Sequence, residues 1–224
     1  MLSIIFLAFL APLAIFLGLF VLKSALLTFI LFYGFVCLLV PLVDLVIIQK
    51  KGGKDFLTFL GFKKFGKSFF PALIAGLIFG ALIVAFFILL QDYVIDFAAA
   101  QAALAEWKIN NRYLILLLFT MIIANSIFEE IYWRGYIFAK LSHKVKPLGV
   151  VFITSLFYAS YHLITTARLF SFSYAILLTF AVFLAGLFWG FTRNKFDSIF
   201  FPIISHLLAD LGIMAVYIKF FGGL

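Results

Sequence analysis

Residues 113–140 read YLILLLFTMIIANSIFEEIYWRGYIFAK, an apolar stretch that carries two glutamates and an arginine in its interior. About 20 apolar residues in an α-helix are enough to cross the hydrocarbon core of a bilayer, which is about 30 Å thick. Charged side chains near the bilayer centre cost about 2.5 to 3.5 kcal/mol each on insertion scales. We therefore expect a transmembrane helix here, with a function for Glu129, Glu130 and Arg134.

The composition of the whole chain predicts a membrane protein. Of its 224 residues, 67% are hydrophobic and 12% are charged, whereas soluble domains have about 45 to 50% and about 25%. The excess of 17 Lys and Arg over 9 Asp and Glu would indicate a nucleic-acid partner in a soluble protein. Here the charges lie almost wholly between apolar stretches, which excludes nucleic acid and makes the lipid bilayer the expected partner.

Six further apolar stretches are long enough to cross a bilayer. The first of them lacks the basic start and the clear cleavage site of a signal peptide, so we interpret it as a span. These stretches predict an all-α membrane protein, a single transmembrane domain over residues 1–224, with about seven helices in a bundle around a polar intramembrane site. The predicted spans are Leu2 to Leu22, Ala25 to Gln49, Phe69 to Gln91, Tyr113 to Lys140, Leu148 to Thr166, Tyr174 to Phe191 and Ile199 to Phe220.

The basic residues between the spans predict the orientation, because loops on the cytoplasmic side are enriched in Lys and Arg. The side with more of them is expected to be cytoplasmic, which places the N-terminus inside. The short chain and simple topology favour a prokaryotic plasma membrane. One side has eleven basic residues, namely Lys50, Lys51, Lys54, Lys63, Lys64, Lys67, Lys140, Lys144, Lys146, Arg193 and Lys195, and the other has Lys23, Lys108, Arg112, Arg168 and Lys219.

Two connections between spans are long enough to hold structure of their own. Lys51 to Ser68 mixes phenylalanines and leucines with lysines. This segment is either amphipathic and lies on the anionic inner leaflet, or is a basic loop that only sets the topology. Asp92 to Arg112 has an alanine cluster among acidic residues, which predicts a short helix at the outer surface.

Other polar residues inside the predicted spans fall at helical spacing. Residues four apart share one face of a helix, so the members of each such pair can meet. Glu129 points away from the face of Glu130 and is free for another partner. The pairs are Glu130 with Arg134, Tyr158 with His162, and His206 with Asp210.

Carboxylates and imidazoles grouped inside a membrane can activate water for hydrolysis. They can remove a proton from water directly, or hold a Zn²⁺ ion that lowers the pKa of its bound water to about 7. The HExxH zinc motif is absent. Two other functions fit the same residues: a transporter or proton relay, and a noncatalytic scaffold. The residues that could hold Zn²⁺ are Glu129, His162, His206 and Asp210.

Three short motifs carry a resemblance to a known family. Residues 129–134, EEIYWR, match EExxxR; residues 158–162, YASYH, approximate FxxxH; residues 206–210, HLLAD, match HxxxN/D. In order and spacing they resemble the CAAX prenyl protease and bacteriocin-processing family, also called CPBP or Abi, over about residues 119–214. The resemblance implies an intramembrane endopeptidase that acts on membrane-associated peptides or proteins, such as prenylated C-terminal motifs, bacteriocin precursors or immunity targets.

The resemblance also implies a role for each motif residue. Glu129 would be the general base, assisted by His162. Glu130 and Arg134 would form a supporting ion pair. His206 and Asp210 would complete the water or oxyanion site.

Two positions depart from the family pattern. Tyr158 replaces the usual Phe, which adds a hydroxyl. Asp210 stands where many relatives have Asn, and an ionised Asp cannot donate a hydrogen bond. Asp210 is therefore expected to orient His206 or to bind a metal ion.

Overall fold

The computed structural model describes residues 1–63 and 66–222. Seven of its helices are long and apolar enough to cross a membrane, as predicted, so the chain is an integral membrane protein. Two shorter helices lie in the long connections. The helices are α1 (Leu2–Val21), α2 (Ala25–Ile48), α3 (Gly53–Leu60), α4 (Gly66–Val94), α5 (Phe97–Glu106), α6 (Asn111–Ser142), α7 (Pro147–Leu169), α8 (Phe172–Phe196) and α9 (Phe200–Phe221).

Local sequence signals set several helix ends. The Ser24 side chain accepts a hydrogen bond from the Leu27 amide at the start of α2, and Asp96 does the same for α5. Both are preferred N-cap residues. Pro147 occupies the first turn of α7, where its missing N–H costs nothing. Gly61, at φ +85°, ends α3 in the left-handed conformation that glycine adopts most readily.

Small residues bring the spans close together in two places. A β-carbon on Gly76 would lie 2.8 Å from Leu208 in α9, and one on Gly80 would lie 2.7 Å from the Leu208 carbonyl oxygen. In α8, a β-carbon on Gly186 would lie 3.1 Å from Ser155 in α7. These GxxxG glycines therefore pack helices within the bundle.

Gly212→Ala is expected to destabilise the bundle by about 1 to 3 kcal/mol, the usual effect of overpacking. A β-carbon at this position would lie 2.7 Å from the Gly80 Cα, so α4 and α9 would have to move apart. The change is measured as the midpoint of thermal unfolding in detergent. Gly34→Ala in α2 is the matched control, because a β-carbon there meets no atom within 4 Å. An equal loss in both variants would contradict the close-approach argument.

Ion pairs join neighbouring loops at both ends of the bundle. At one end Glu106 pairs with Lys23 at 2.7 Å and with Arg168. The Lys23 ammonium beside it holds the pKa of the Glu106 carboxyl below its usual range, although partial desolvation opposes this. At the opposite end Lys63 pairs with Asp197. Which end is cytoplasmic stays a prediction.

The basic segment between α2 and α4 contains a helix docked on the bundle. Leu60 is fully buried in α3, and its carbonyl oxygen would lie 3.0 Å from a β-carbon on Gly135 of α6. Phe56 and Phe59 are half-buried against the same core. The helix therefore packs on protein, and the interpretation as a plain loop is wrong for this part of the segment. Lys64, counted above among the basic residues, and Phe65 lie outside the described residues.

Candidate active site

The predicted site residues come together where α6, α7, α8 and α9 meet. Glu129 lies in the middle of α6, between two stretches with wide, π-helical turns, Thr120–Ala124 and Ile131–Ile137. Such turns are frequent at functional sites because they reorient side chains along one helix. His206 and Asp210 come from α9, so the motifs meet although they are far apart in the sequence.

Glu130 and Arg134 form the predicted ion pair, and both side chains are fully buried. Arg134 Nη1 donates to Glu130 Oε1 at 3.0 Å, and neither side chain is exposed. Arg134 Nη2 donates to the carbonyl oxygen of Gly186 in α8 at 3.1 Å. The guanidinium lies 4.4 Å from the centre of the Tyr158 ring and 5.4 Å from that of Trp189. The buried charge is thus paired, hydrogen-bonded and stacked, as a buried charge must be to be tolerated.

His206 is held from two sides. Its Nδ1 lies 3.0 Å from Glu130 Oε1; because a carboxylate accepts, Nδ1 donates. Its ring stacks on Trp189 with 4.2 Å between centroids. The second nitrogen, Nε2, then faces Glu129 Oε2 at 3.8 Å and Asp210 Oδ2 at 3.5 Å. Glu130 therefore fixes the ring orientation that points Nε2 at the other two carboxylates.

A buried hydrogen-bonded chain holds Asp210, and sequence reasoning missed it. Asn125 Nδ2 donates to Asp210 Oδ2 at 2.9 Å, and Asn125 Oδ1 accepts from the hydroxyl of Tyr33 at 2.7 Å. Asn125 precedes Glu129 by four residues and so shares its helix face. That spacing was the available signal for Asn125; Tyr33, in the second span, had none.

Glu129 has one free carboxylate oxygen. The residue is 2% exposed, and Oε2 has no hydrogen-bond partner among residues 1–63 and 66–222. The Tyr161 hydroxyl is also buried without a hydrogen-bond partner in that part of the chain. A buried donor and acceptor both left unpaired are rare in folded proteins. The free oxygen of Glu129 suits a group that acts on substrate or water.

His162 lies beside this cluster. Its Nδ1 donates to the Tyr158 carbonyl oxygen at 2.9 Å, which leaves Nε2 as an acceptor. Its ring packs 4.8 Å from Tyr158 and 4.4 Å from Tyr161, centre to centre. The side chain is half-buried. Its assisting role stays a prediction.

The motif residues lie within a region that a family model matches. Residues 111–212, just under half of the chain, match the model described as type II CAAX prenyl endopeptidase Rce1-like. This region is thus similar to the Rce1-like family of CAAX prenyl endopeptidases. Neither a curated protein nor a solved structure matches the chain.

The Rce1-like region has no ready-made metal site. Among residues 1–63 and 66–222, no three or more His, Cys, Asp or Glu side chains are arranged to hold a metal ion. His206 Nδ1 is engaged by Glu130 and Asp210 Oδ2 by Asn125, which leaves few free donor atoms for Zn²⁺. The residues present therefore do not fit a preformed zinc site, and zinc binding stays a prediction.

Arg193, treated above as a loop charge, is a buried structural residue of the Rce1-like region. It is 6% exposed. Its Nε donates to the backbone carbonyl oxygen of Arg134 at 2.9 Å, and its Nη1 pairs with Asp197 at 3.1 Å. The charge of Arg193, which was counted above among the basic residues on one side of the membrane, is thus paired with Asp197.

Proposed function

We propose that this protein is an intramembrane endopeptidase of the CAAX type in which Glu129 activates water. The observation that carries the proposal is the buried approach of Glu129 Oε2 to His206 Nε2 at 3.8 Å, within the region of the family match. Glu129 Oε2 has no competing hydrogen bond from any residue that the structure describes. A carboxylate in this position is suited to general-base catalysis.

The reaction is a hydrolysis in two proton transfers. A water molecule hydrogen-bonded to Glu129 beside His206 gives a proton to the Glu129 carboxylate as its oxygen attacks the carbonyl carbon of the scissile peptide bond. The tetrahedral intermediate then collapses, the C–N bond breaks, and the proton passes from Glu129 to the leaving nitrogen. Glu129 is thereby returned to its carboxylate form, and no step passes through a metal ion.

The neighbouring residues position this machinery. Glu130 orients His206 through Nδ1, and Arg134 balances the Glu130 charge. Asp210 faces the same nitrogen as Glu129 and is fixed by Asn125. Hydrogen bonds that lock a catalytic group before substrate binds lower the reorganisation needed in the transition state.

The substrates that fit best are membrane-associated chains. The family match supports peptides or proteins that reach the site from the bilayer, and a prenylated C-terminal segment is the first class to test. A bacteriocin precursor or an immunity target is the alternative substrate. The proposed location is a prokaryotic plasma membrane, with the N-terminus on the cytoplasmic side.

The test is cleavage of quenched fluorescent peptides by the purified protein in lipid nanodiscs, with and without EDTA. The pool includes peptides that end in a farnesylated CAAX motif and unmodified peptides of the same sequences. We expect cleavage that persists in EDTA, because the described residues form no three-ligand metal group. Loss in EDTA with recovery on added zinc would establish a metallopeptidase instead. If every peptide stays intact, the result favours the scaffold or transporter.

A further inference from the structure

One face of α8 holds Arg134 at two points. Gly186 and Arg193 are seven residues apart, about two helical turns, and so share this face. The Gly186 carbonyl oxygen accepts from Arg134 Nη2 at 3.1 Å, and Arg193 Nε donates to the Arg134 backbone carbonyl oxygen at 2.9 Å. The same helix therefore holds both the side chain and the backbone of this arginine.

Trp189 lies on this face between Gly186 and Arg193. Its ring stacks on His206 with 4.2 Å between centroids and lies 5.4 Å from the Arg134 guanidinium. None of the three sequence motifs falls in α8. The helix therefore contributes to the site by aligning motif residues that belong to other helices.

The position of Arg134 is transmitted to His206 through a single oxygen atom. Glu130 Oε1 accepts from Arg134 Nη1 at 3.0 Å and from His206 Nδ1 at 3.0 Å. His206 Nε2 in turn lies 3.8 Å from Glu129 Oε2. A shift of Arg134 would therefore move the His206 ring relative to the proposed general base.

The Arg193 guanidinium is itself held in place. Its Nη1 pairs with Asp197 at 3.1 Å, and its centre lies 5.3 Å from the Phe138 ring. The missing side chain of Gly61 makes room for it, because a β-carbon there would lie 2.6 Å from Arg193 Nη2. The donors of an arginine form a rigid planar fork, so contacts of the Nη groups also fix the direction of the Nε–H bond.

We propose that Arg193 is a positioning residue for peptide hydrolysis, whose hydrogen bond to the Arg134 backbone aligns the chain of Arg134, Glu130 and His206 with Glu129. Arg193 exchanges no proton and acts only through Arg134. This inference rests on the proposed function. Its test needs a measure of alignment, because a buried arginine also stabilises the fold.

Arg193→Lys tests this role. Lysine keeps the charge and can pair with Asp197, but it lacks the planar fork that directs Nε to the Arg134 carbonyl oxygen. With the quenched peptide that the wild type cleaves fastest, we expect kcat to fall about 10 to 10²-fold, since a misplacement of about 1 Å costs about 10²-fold in rate. KM should change less than about twofold, because substrate binding is not affected. Arg168→Lys is the matched control, as it makes the same change in the half-exposed pair with Glu106.

NMR of protein labelled with ¹⁵N-histidine, in nanodiscs, measures the alignment of His206 directly. The chain has three histidines, and His206→Gln identifies the signal. In Arg193→Lys we expect the Nδ1 proton signal of His206 to move upfield, because its hydrogen bond to Glu130 lengthens. The signal of His162 should stay in place, and Arg168→Lys should give the wild-type spectrum. A loss of stability alone would lower the unfolding temperature and leave the His206 signal unchanged.

A wild-type kcat for Arg193→Lys, or an unmoved His206 signal, overturns the inference. An equal loss of kcat in Asp197→Asn also overturns it, because the ion pair would then account for the effect. If Arg193→Lys does not fold, Gly61→Ala displaces the guanidinium from the α3 side and should move the same signal. Its control is Gly52→Ala, where a β-carbon meets no atom within 4 Å. A wild type that cleaves no peptide would defeat the proposed function, and the His206 signal would still show whether Arg193 aligns the ring.

Discussion

Glu129→Gln is expected to reduce peptide cleavage by about 10² to 10⁴-fold, the contribution of a positioned general base, while the protein folds normally. Glutamine has almost the shape of glutamate but cannot take a proton from water. Glu129 Oε2 has no hydrogen bond to lose within the described chain, so stability should change little. The measurements are kcat on the cleaved peptide and the midpoint of thermal unfolding.

The matched control is Glu106→Gln, a carboxylate that pairs with Lys23 and Arg168 at the end of the bundle. It loses the same charge outside the site and should keep wild-type kcat. Undiminished cleavage by Glu129→Gln would show that another residue is the general base. Asp210 would be the first alternative, because it faces the same His206 nitrogen.

Arg134→Ala is expected to destabilise the protein by about 3 to 5 kcal/mol, the usual effect of leaving one member of a buried ion pair without its partner. Glu130 would remain buried with its charge unbalanced, and the Gly186 carbonyl oxygen would lose its donor. Thermal unfolding in detergent and the yield of folded protein report the loss.

Two variants test this explanation. Arg168→Ala removes an arginine from the half-exposed pair with Glu106, where the expected effect is at most about 1 kcal/mol. The double change Arg134→Met with Glu130→Gln removes both buried charges and should recover part of the stability. If Arg134→Ala and the wild type unfold at the same temperature, the buried Glu130 carboxylate does not need a cation for stability.

The spans could be predicted because lipid imposes a length and an apolar composition that few sequences meet by chance. Their ends could not be predicted as well. The fourth span extends over Asn111–Ser142, beyond the predicted limits at Tyr113 and Lys140. Capping and tertiary contacts prolong helices past the apolar stretch, and these depend on neighbours that the local sequence does not reveal.

The site could be predicted in part for a similar reason. An ionisable residue in an apolar stretch is conspicuous. A second ionisable residue four positions along the helix is then its expected partner, as with Glu130 and Arg134. Trp189 and Tyr161 do not stand out, since aromatic residues are common in membrane cores. Trp189 nevertheless stacks on His206. Partnerships of this kind join different helices, which no local periodicity can indicate.

Gly186 links two properties of the molecule that are usually separate. Its bare α-carbon allows α7 and α8 to approach at Ser155, and its carbonyl oxygen accepts the hydrogen bond from Arg134. A β-carbon at this position would press on Ser155, and a shift of α8 that relieved this contact would also move the carbonyl oxygen that Arg134 uses. Close packing of the bundle and stabilisation of a buried charge thus depend on one residue that has no side chain.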